Sequence, residues 1–172
     1  MAVDIVGDNK KETARAKAEI TGEGLKGTAE FIEYEIENWK YVKITVELEG
    51  DPEKLKPGKH AVHIHEKADC SGGFHCAGGH FDPGPAGDSN PDTNHPHHAG
   101  DLPNIVIDES GKGRMEAITT RITLSDSPTS ILTAEGGTSL MVHGNEDPYH
   151  GGEAGSGISG GPRIGCGIIE KA

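Results

Sequence analysis

From Ala14 to Leu48 the chain alternates apolar and polar positions with a period of two. Ala14, Ala16, Ala18 and Ile20 share one face with charged residues between them, and a Gly22-Glu23-Gly24 turn follows. The alternation returns from Gly27 to Tyr34 and from Tyr41 to Leu48, where Val42, Ile44, Val46 and Leu48 alternate with polar residues. Successive side chains of a strand point to opposite faces, so these runs predict antiparallel strands joined by hairpins. A Pro57-Gly58 turn leads into Lys59-His60-Ala61-Val62-His63-Ile64-His65-Glu66, read as another strand. Further strands are predicted over Asn104 to Asp108, Met115 to Leu124, Thr138 to His143 and Ile164 to Ile169. Between Glu66 and Leu102, and again between Gly144 and Gly161, the period vanishes and Gly, Pro, Asp and His dominate. No long amphipathic helix is present. About eight short strands with two long loops predict an all-β sandwich or flattened barrel whose loops carry the chemistry. Residues 1–12 are polar and are expected to form a flexible arm ahead of a single domain over 13–172.

Composition sets limits on this picture. A chain of 172 residues is long enough to bury a core, and its 26 glycines account for the modest 33% apolar share. The net charge of −12 argues against nucleic acid and anionic membranes as partners, and an anionic substrate would need a local positive site set against that field. No stretch reaches the length of a transmembrane helix or has the pattern of a signal peptide, although Met1-Ala2-Val3-Asp4 would also suit a processed start. Cys70, Cys76 and Cys166 allow one disulfide and leave one thiol.

The strand periodicity places His63 and His65 on one face, with Val62 and Ile64 on the other. Eight of the ten histidines lie between His60 and His98, a density that packing does not explain. Imidazole nitrogens with an occasional carboxylate suit copper or zinc better than magnesium or calcium. His63 and His65, joined by His80 from the loop and His143 at a strand end, make a candidate four-nitrogen site for copper, and His98 with Asp101 a candidate zinc site.

The segments His63-Ile64-His65-Glu66, Gly78-Gly79-His80-Phe81-Asp82-Pro83, His98-Ala99-Gly100-Asp101-Leu102-Pro103-Asn104, Val142-His143 and Gly161-Pro162-Arg163-Ile164-Gly165-Cys166-Gly167 occur in the order and spacing of one family. From about Gly24 to Ile169 the chain resembles the copper/zinc superoxide dismutases of bacterial type. The resemblance implies an immunoglobulin-like, eight-stranded antiparallel Greek-key β-barrel. It implies an enzyme that converts two superoxide anions and two protons to dioxygen and hydrogen peroxide by cycling Cu(II) and Cu(I). Its copper ligands would be His63, His65, His80 and His143, with His80 shared with zinc and able to carry a proton, and His98 and Asp101 would be zinc ligands. Arg163 would guide the anion beside copper, and Asp147 would link a copper ligand to a zinc ligand. Cys70 and Cys166 would form the family disulfide, which favours a periplasmic or extracellular location over the cytoplasm. The resemblance also admits a homodimer.

The chain departs from the family pattern in three places. Asp88 stands where a zinc histidine is usual, which leaves three readings: a histidine, His95 or His97, supplies the third zinc ligand, which is preferred; Asp88 itself does; or zinc binding is weak and the site tends towards copper alone. The 144–161 loop has no lysine, which predicts weak steering of the anion. Cys76 replaces a small residue and could compete with Cys70 for Cys166. His60 and His75 are expected at the surface. Two other readings remain. A zinc hydrolase would want an aspartate where Lys67 stands, and a dismutase-like domain that buffers or delivers copper would be free to lose Arg163.

Overall fold

The computed structural model describes residues 9–85 and 87–172. Ten strands run through them: β1 (Lys11–Gly22), β2 (Leu25–Ile36), β3 (Trp39–Gly50), β4 (Gly58–His60), β5 (Val62–His65), β6 (Ile105–Ile107), β7 (Lys112–Thr119), β8 (Ser139–His143), β9 (Arg163–Ile168) and β10 (Glu170–Lys171). A single 3₁₀ turn spans His75–Ala77. Of the expected N-terminal arm, residues 1–8 lie outside the described residues, while Lys11 and Glu12 already pair with β2.

The alternation read from the sequence is the burial pattern of the first sheet. Ala16, Ala18 and Ile20 of β1, Ala29 and Phe31 of β2, and Val42, Ile44, Val46 and Leu48 of β3 all enter one core. Register matches small to large: Ala16 lies opposite Phe31, which lies opposite Ile44, and Ala29 lies between Ala18 and Val46. Cross-strand neighbours of this kind fill the pleated face without voids.

Every ladder is antiparallel, and the order is β4-β6-β7-β3-β2-β1-β9-β8-β5, with β10 alongside β1. The two ends of this order, β4 and β5, are successive pieces of one run broken at Ala61. The run leaves β6 and joins β8 there, while the Ala61 N–H donates to Asn145 O at 2.9 Å and Ala61 O accepts from His143 N at 2.9 Å. Covalent continuity thus closes the barrel, and each of the eight predicted runs contains a strand.

One strand is shorter than its pattern. Burial continues to alternate through Ile122 and Leu124, but the ladder of β7 stops at Thr119. At the far end of the run the backbone bonds to a buried carboxylate instead of a strand. Glu33 of β2 is fully buried and accepts from Leu124 N at 2.6 Å, Ser125 N at 3.1 Å and Ser125 Oγ at 2.6 Å. A carboxylate thus takes the hydrogen bonds that a neighbouring strand would otherwise supply, as a buried donor requires.

Candidate metal centre

Two long irregular segments, 66–104 and 144–162, lie over β5 and the end of β8. Val62 and Ile64 enter the core while His63 and His65 project from the other side of β5. Pairing of β5 with β8 brings His143 beside them. The longer loop is tied to the same strand: Ile64 N donates to Gly100 O at 2.8 Å, Phe81 N to Ile64 O at 2.8 Å, and bridges form between His63 and Asp101 and between His65 and His80.

His63, His65, His80 and His143 each offer one ligand atom, all within 4.8 Å of one another, and all four residues are buried. The remaining nitrogens are anchored. His63 Nε2 lies 2.9 Å from Asp147 Oδ2, His65 Nδ1 is 3.0 Å from Gly78 O, and His143 Nδ1 is 3.3 Å from Gly161 O. The inward atoms have no such partners. His65 Nε2 and His80 Nε2 are buried without a hydrogen bond, and His63 Nδ1 faces His143 Nε2 at 3.2 Å. Buried polar atoms are rarely left unpaired, and rings oriented from behind with bare nitrogens in front are what a metal requires.

A second group shares His80. Around Asp101, His80 Nδ1 lies 2.8 Å from Oδ1, while His95 Nδ1 and His98 Nδ1 lie 3.2 and 3.0 Å from Oδ2. His80 Nδ1 and His98 Nδ1 are 3.2 Å apart. Yet Asp101 Oδ1 and His95 Nδ1, for all their close neighbours, have no hydrogen-bond partner. These atoms aim at a common centre and not at one another. With zinc–nitrogen bonds of about 2.0–2.1 Å, the edge of a coordination tetrahedron is roughly 3.3–3.4 Å, close to the separations seen here. The donor set of three imidazoles and one carboxylate fits zinc, and the four imidazoles fit copper.

Asp88 is not in either group. Its carboxylate is used within its own loop, accepting from Asn90 N at 3.0 Å and Thr93 Oγ1 at 2.5 Å. His95 is brought in instead, from only three residues before His98. His97 and His75 are exposed, as is the free thiol of Cys76. His60 corrects the expectation of a surface residue: it is buried, with Nδ1 2.8 Å from His143 O and Nε2 2.6 Å from Lys56 O.

Asp147 is fully buried, and its carboxylate accepts from His63 Nε2, from His95 Nε2 at 2.7 and 2.8 Å, and from Tyr149 N at 2.8 Å. It joins one ring of each group. Asn104 holds it in turn, donating from Nδ2 to Asp147 O at 2.9 Å and accepting from Asp147 N at 2.8 Å. This clamp carries no periodicity and no motif chemistry, so sequence reading gave Asn104 no role. Arg163, half-buried at the start of β9, donates to Phe74 O at 2.8 Å and to Gly78 O at 2.7 Å. Gly78 O therefore serves both Arg163 and His65, which sets a positive charge beside the four-nitrogen group. A disulfide joins Cys70 in this loop to Cys166, three residues beyond Arg163.

The electrostatics follow burial and neighbours. Burial, reinforced by neighbouring imidazoles and Arg163, pushes His65 and His143 well below the usual histidine range. Burial and His63 bring His80 down to about 3. Burial also opposes a charge on His95, but the carboxylates of Asp101 and Asp147 outweigh it and raise that ring to about 9. Burial alone would raise Asp101 and Asp147, yet the surrounding imidazoles hold both far below the usual carboxylate range. Neutral imidazoles and ionised carboxylates are the states that bind metal, so His95, protonated at neutral pH, would have to release a proton to become a ligand.

Known proteins resemble this chain over most of its length. Residues 25–169 match the family described as copper/zinc superoxide dismutase. The Cu-Zn superoxide dismutase of Deinococcus radiodurans is 38% identical over 141 residues, which are 74% of this chain and 70% of that protein. That of Paramecium bursaria Chlorella virus 1 is 37% identical over 152 residues, 86% of this chain and 74% of its own. A crystal structure of the clock protein EA4 superposes with a TM-score of 0.69 at 29% identity, covering 91% of this chain and 93% of that one. With an antiparallel barrel, a buried histidine-rich centre and this breadth of match, the chain belongs to the copper/zinc superoxide dismutase family.

Proposed function

We propose that this protein is a superoxide dismutase in which His63 Nδ1, His65 Nε2, His80 Nε2 and His143 Nε2 hold copper, and His80 Nδ1, His95 Nδ1, His98 Nδ1 and Asp101 hold zinc. The observation that carries the reading is the position of His80, whose Nε2 is buried without a hydrogen-bond partner within the four-histidine group while its Nδ1 lies 2.8 Å from Asp101 Oδ1 and 3.2 Å from His98 Nδ1. Copper, when bound, supplies a one-electron couple able to oxidise one superoxide to dioxygen and reduce the next to peroxide, while zinc supplies a fixed positive charge.

The chain's own residues do the rest. Arg163, fixed by the carbonyls of Phe74 and Gly78, offers the positive site that an anion needs in a protein of net charge −12. When free of copper, His80 Nε2 would hold one of the two protons the reaction consumes and give it to the leaving peroxide, the second coming from solvent, while Asp101 keeps the Nδ1 side of that ring in place. Asp147 orients His63 and His95 from behind. The Cys70–Cys166 disulfide supports an oxidising compartment, the periplasm or the exterior.

The test is metal content and dismutase activity on one sample loaded with both metals and dialysed. One copper and one zinc per chain with high activity, abolished by His143→Ala, is the expected result. Copper retained without activity would overturn it in favour of a copper buffer or carrier.

A further inference from the structure

The buried carboxylate of Asp92 belongs to neither metal group, yet it has a full set of donors. Asp92 Oδ2 accepts from Gly157 N at 3.0 Å, and Oδ1 accepts from Ser159 N at 3.2 Å and Ser159 Oγ at 3.2 Å. The Gly155 N–H is also directed at it. Its main-chain oxygen takes a further bond, from Gly152 N at 2.8 Å. All of these donors come from the glycine-rich 144–162 segment, whose backbone turns through left-handed φ at Gly155 (80°), Gly157 (74°) and Gly161 (64°). Successive N–H groups in such turns form a concave positive nest suited to an anion. Here the anion is a side chain of the other loop, three residues before His95.

The far end of the same segment touches copper's ligand. Immediately after Ser159, Gly160 lies so close to His143 that an added Cβ would stand 2.9 Å from His143 Cβ and Cγ and 2.7 Å from Ala61 Cβ. The next residue, Gly161, carries the carbonyl that faces His143 Nδ1. At the near end Gly151 is pressed against Asp92 O and the His95 backbone, with an added Cβ 3.0 to 3.3 Å from them. We infer that Asp92 is a positioning residue: by seating its carboxylate in the 155–159 nest it locks the two loops together, setting the ring of His143 on one side and the backbone of His95 on the other. This rests on the assignment of those two histidines to copper and zinc.

The experiment compares the parent with Asp92→Asn and Ser159→Ala by amide hydrogen exchange on metal-free protein, and by copper EPR and zinc release to a chelator on loaded protein. In Asp92→Asn the amides of Gly157 and Ser159 should exchange about tenfold faster or more, while those of β2 and β3 stay protected as the internal control. The copper hyperfine splitting should shift and zinc should leave several-fold faster. Ser159→Ala, which removes only the hydroxyl contact, should move all three readouts the same way by less, and it carries the test should Asp92→Asn not fold. Unchanged amide exchange, or faster exchange with the copper spectrum and zinc release unaltered, would overturn the inference. A parent protein that takes up neither metal would defeat the metal-site reading, while exchange in the metal-free state still decides whether Asp92 joins the loops.

Discussion

Asp147→Asn is the sharpest probe of how the two metal groups are coupled. The substitution keeps volume and shape and changes only which atoms accept. Once His63 and His95 each commit Nδ1 to a metal, both Nε2 atoms carry a proton, and Asp147 accepts both within 2.9 Å. An amide has one acceptor end. With its oxygen in the place of Oδ1, it turns an NH₂ towards the His63 N–H. With its oxygen in the place of Oδ2, it turns the NH₂ towards Tyr149 N–H, which now donates to Oδ1 at 2.8 Å. Either orientation leaves a donor facing a donor in a fully buried site, and the Asn104 clamp keeps the backbone from moving away. Loss of one such outer contact costs about 10–100-fold in metal affinity, or roughly 1.4–2.7 kcal/mol. Copper affinity measured by chelator competition should fall by that factor, with a changed EPR spectrum, where His63 is the ring left unpaired, while His95, which reaches both oxygens, keeps an acceptor in either orientation. Affinities for both metals within twofold of the parent would refute the reasoning.

The metal-free protein should be most stable at about pH 7. Below it, unfolded chains take up protons that the folded, depressed rings of His65, His80 and His143 refuse, so stability falls with acid; above it, the raised ring of His95 loses its proton through about pH 9 and stability falls again. Urea midpoints across pH, measured after chelation, would show a maximum there, and a profile rising steadily to pH 10 would contradict it. The dismutation rate should depend only weakly on ionic strength, because 144–161 contains no lysine or arginine; a steep fall with added salt would show steering by charges elsewhere. Cys166→Ser should lower stability by about 2–5 kcal/mol in denaturant titrations, since the bond closes a loop with a sequence separation of 96, and a loss under about 1 kcal/mol would assign it little weight.

Much of this molecule is legible without coordinates where a local rule suffices. Alternation in 14–48 became three paired strands with the predicted face buried, and the one-residue gap between His63 and His65 placed them together because a strand has a period of two. Periodicity fails where tertiary contacts take over the backbone. The expected strand through Leu124 stops pairing at Thr119, and Leu124 N bonds instead to Glu33, a residue 91 positions away. His60 was expected to be solvated, but the carbonyls of Lys56 and His143 enclose its ring, and the second of these lies 83 positions away.

The sequence by itself determined that the chain would be a β-barrel with two working loops, because period-two patterning and clustered histidines depend only on each residue and its near neighbours. Only the tertiary structure decided which side chains the loops deliver. Asp88 and His95 are both chemically able to bind zinc, and the fold sets His95 between Asp101 and Asp147 while the loop's own N–H and hydroxyl groups occupy the Asp88 carboxylate. Asn104, Asp92 and the shared carbonyl of Gly78 act through contacts between segments far apart in sequence, and no pattern along the chain encodes them.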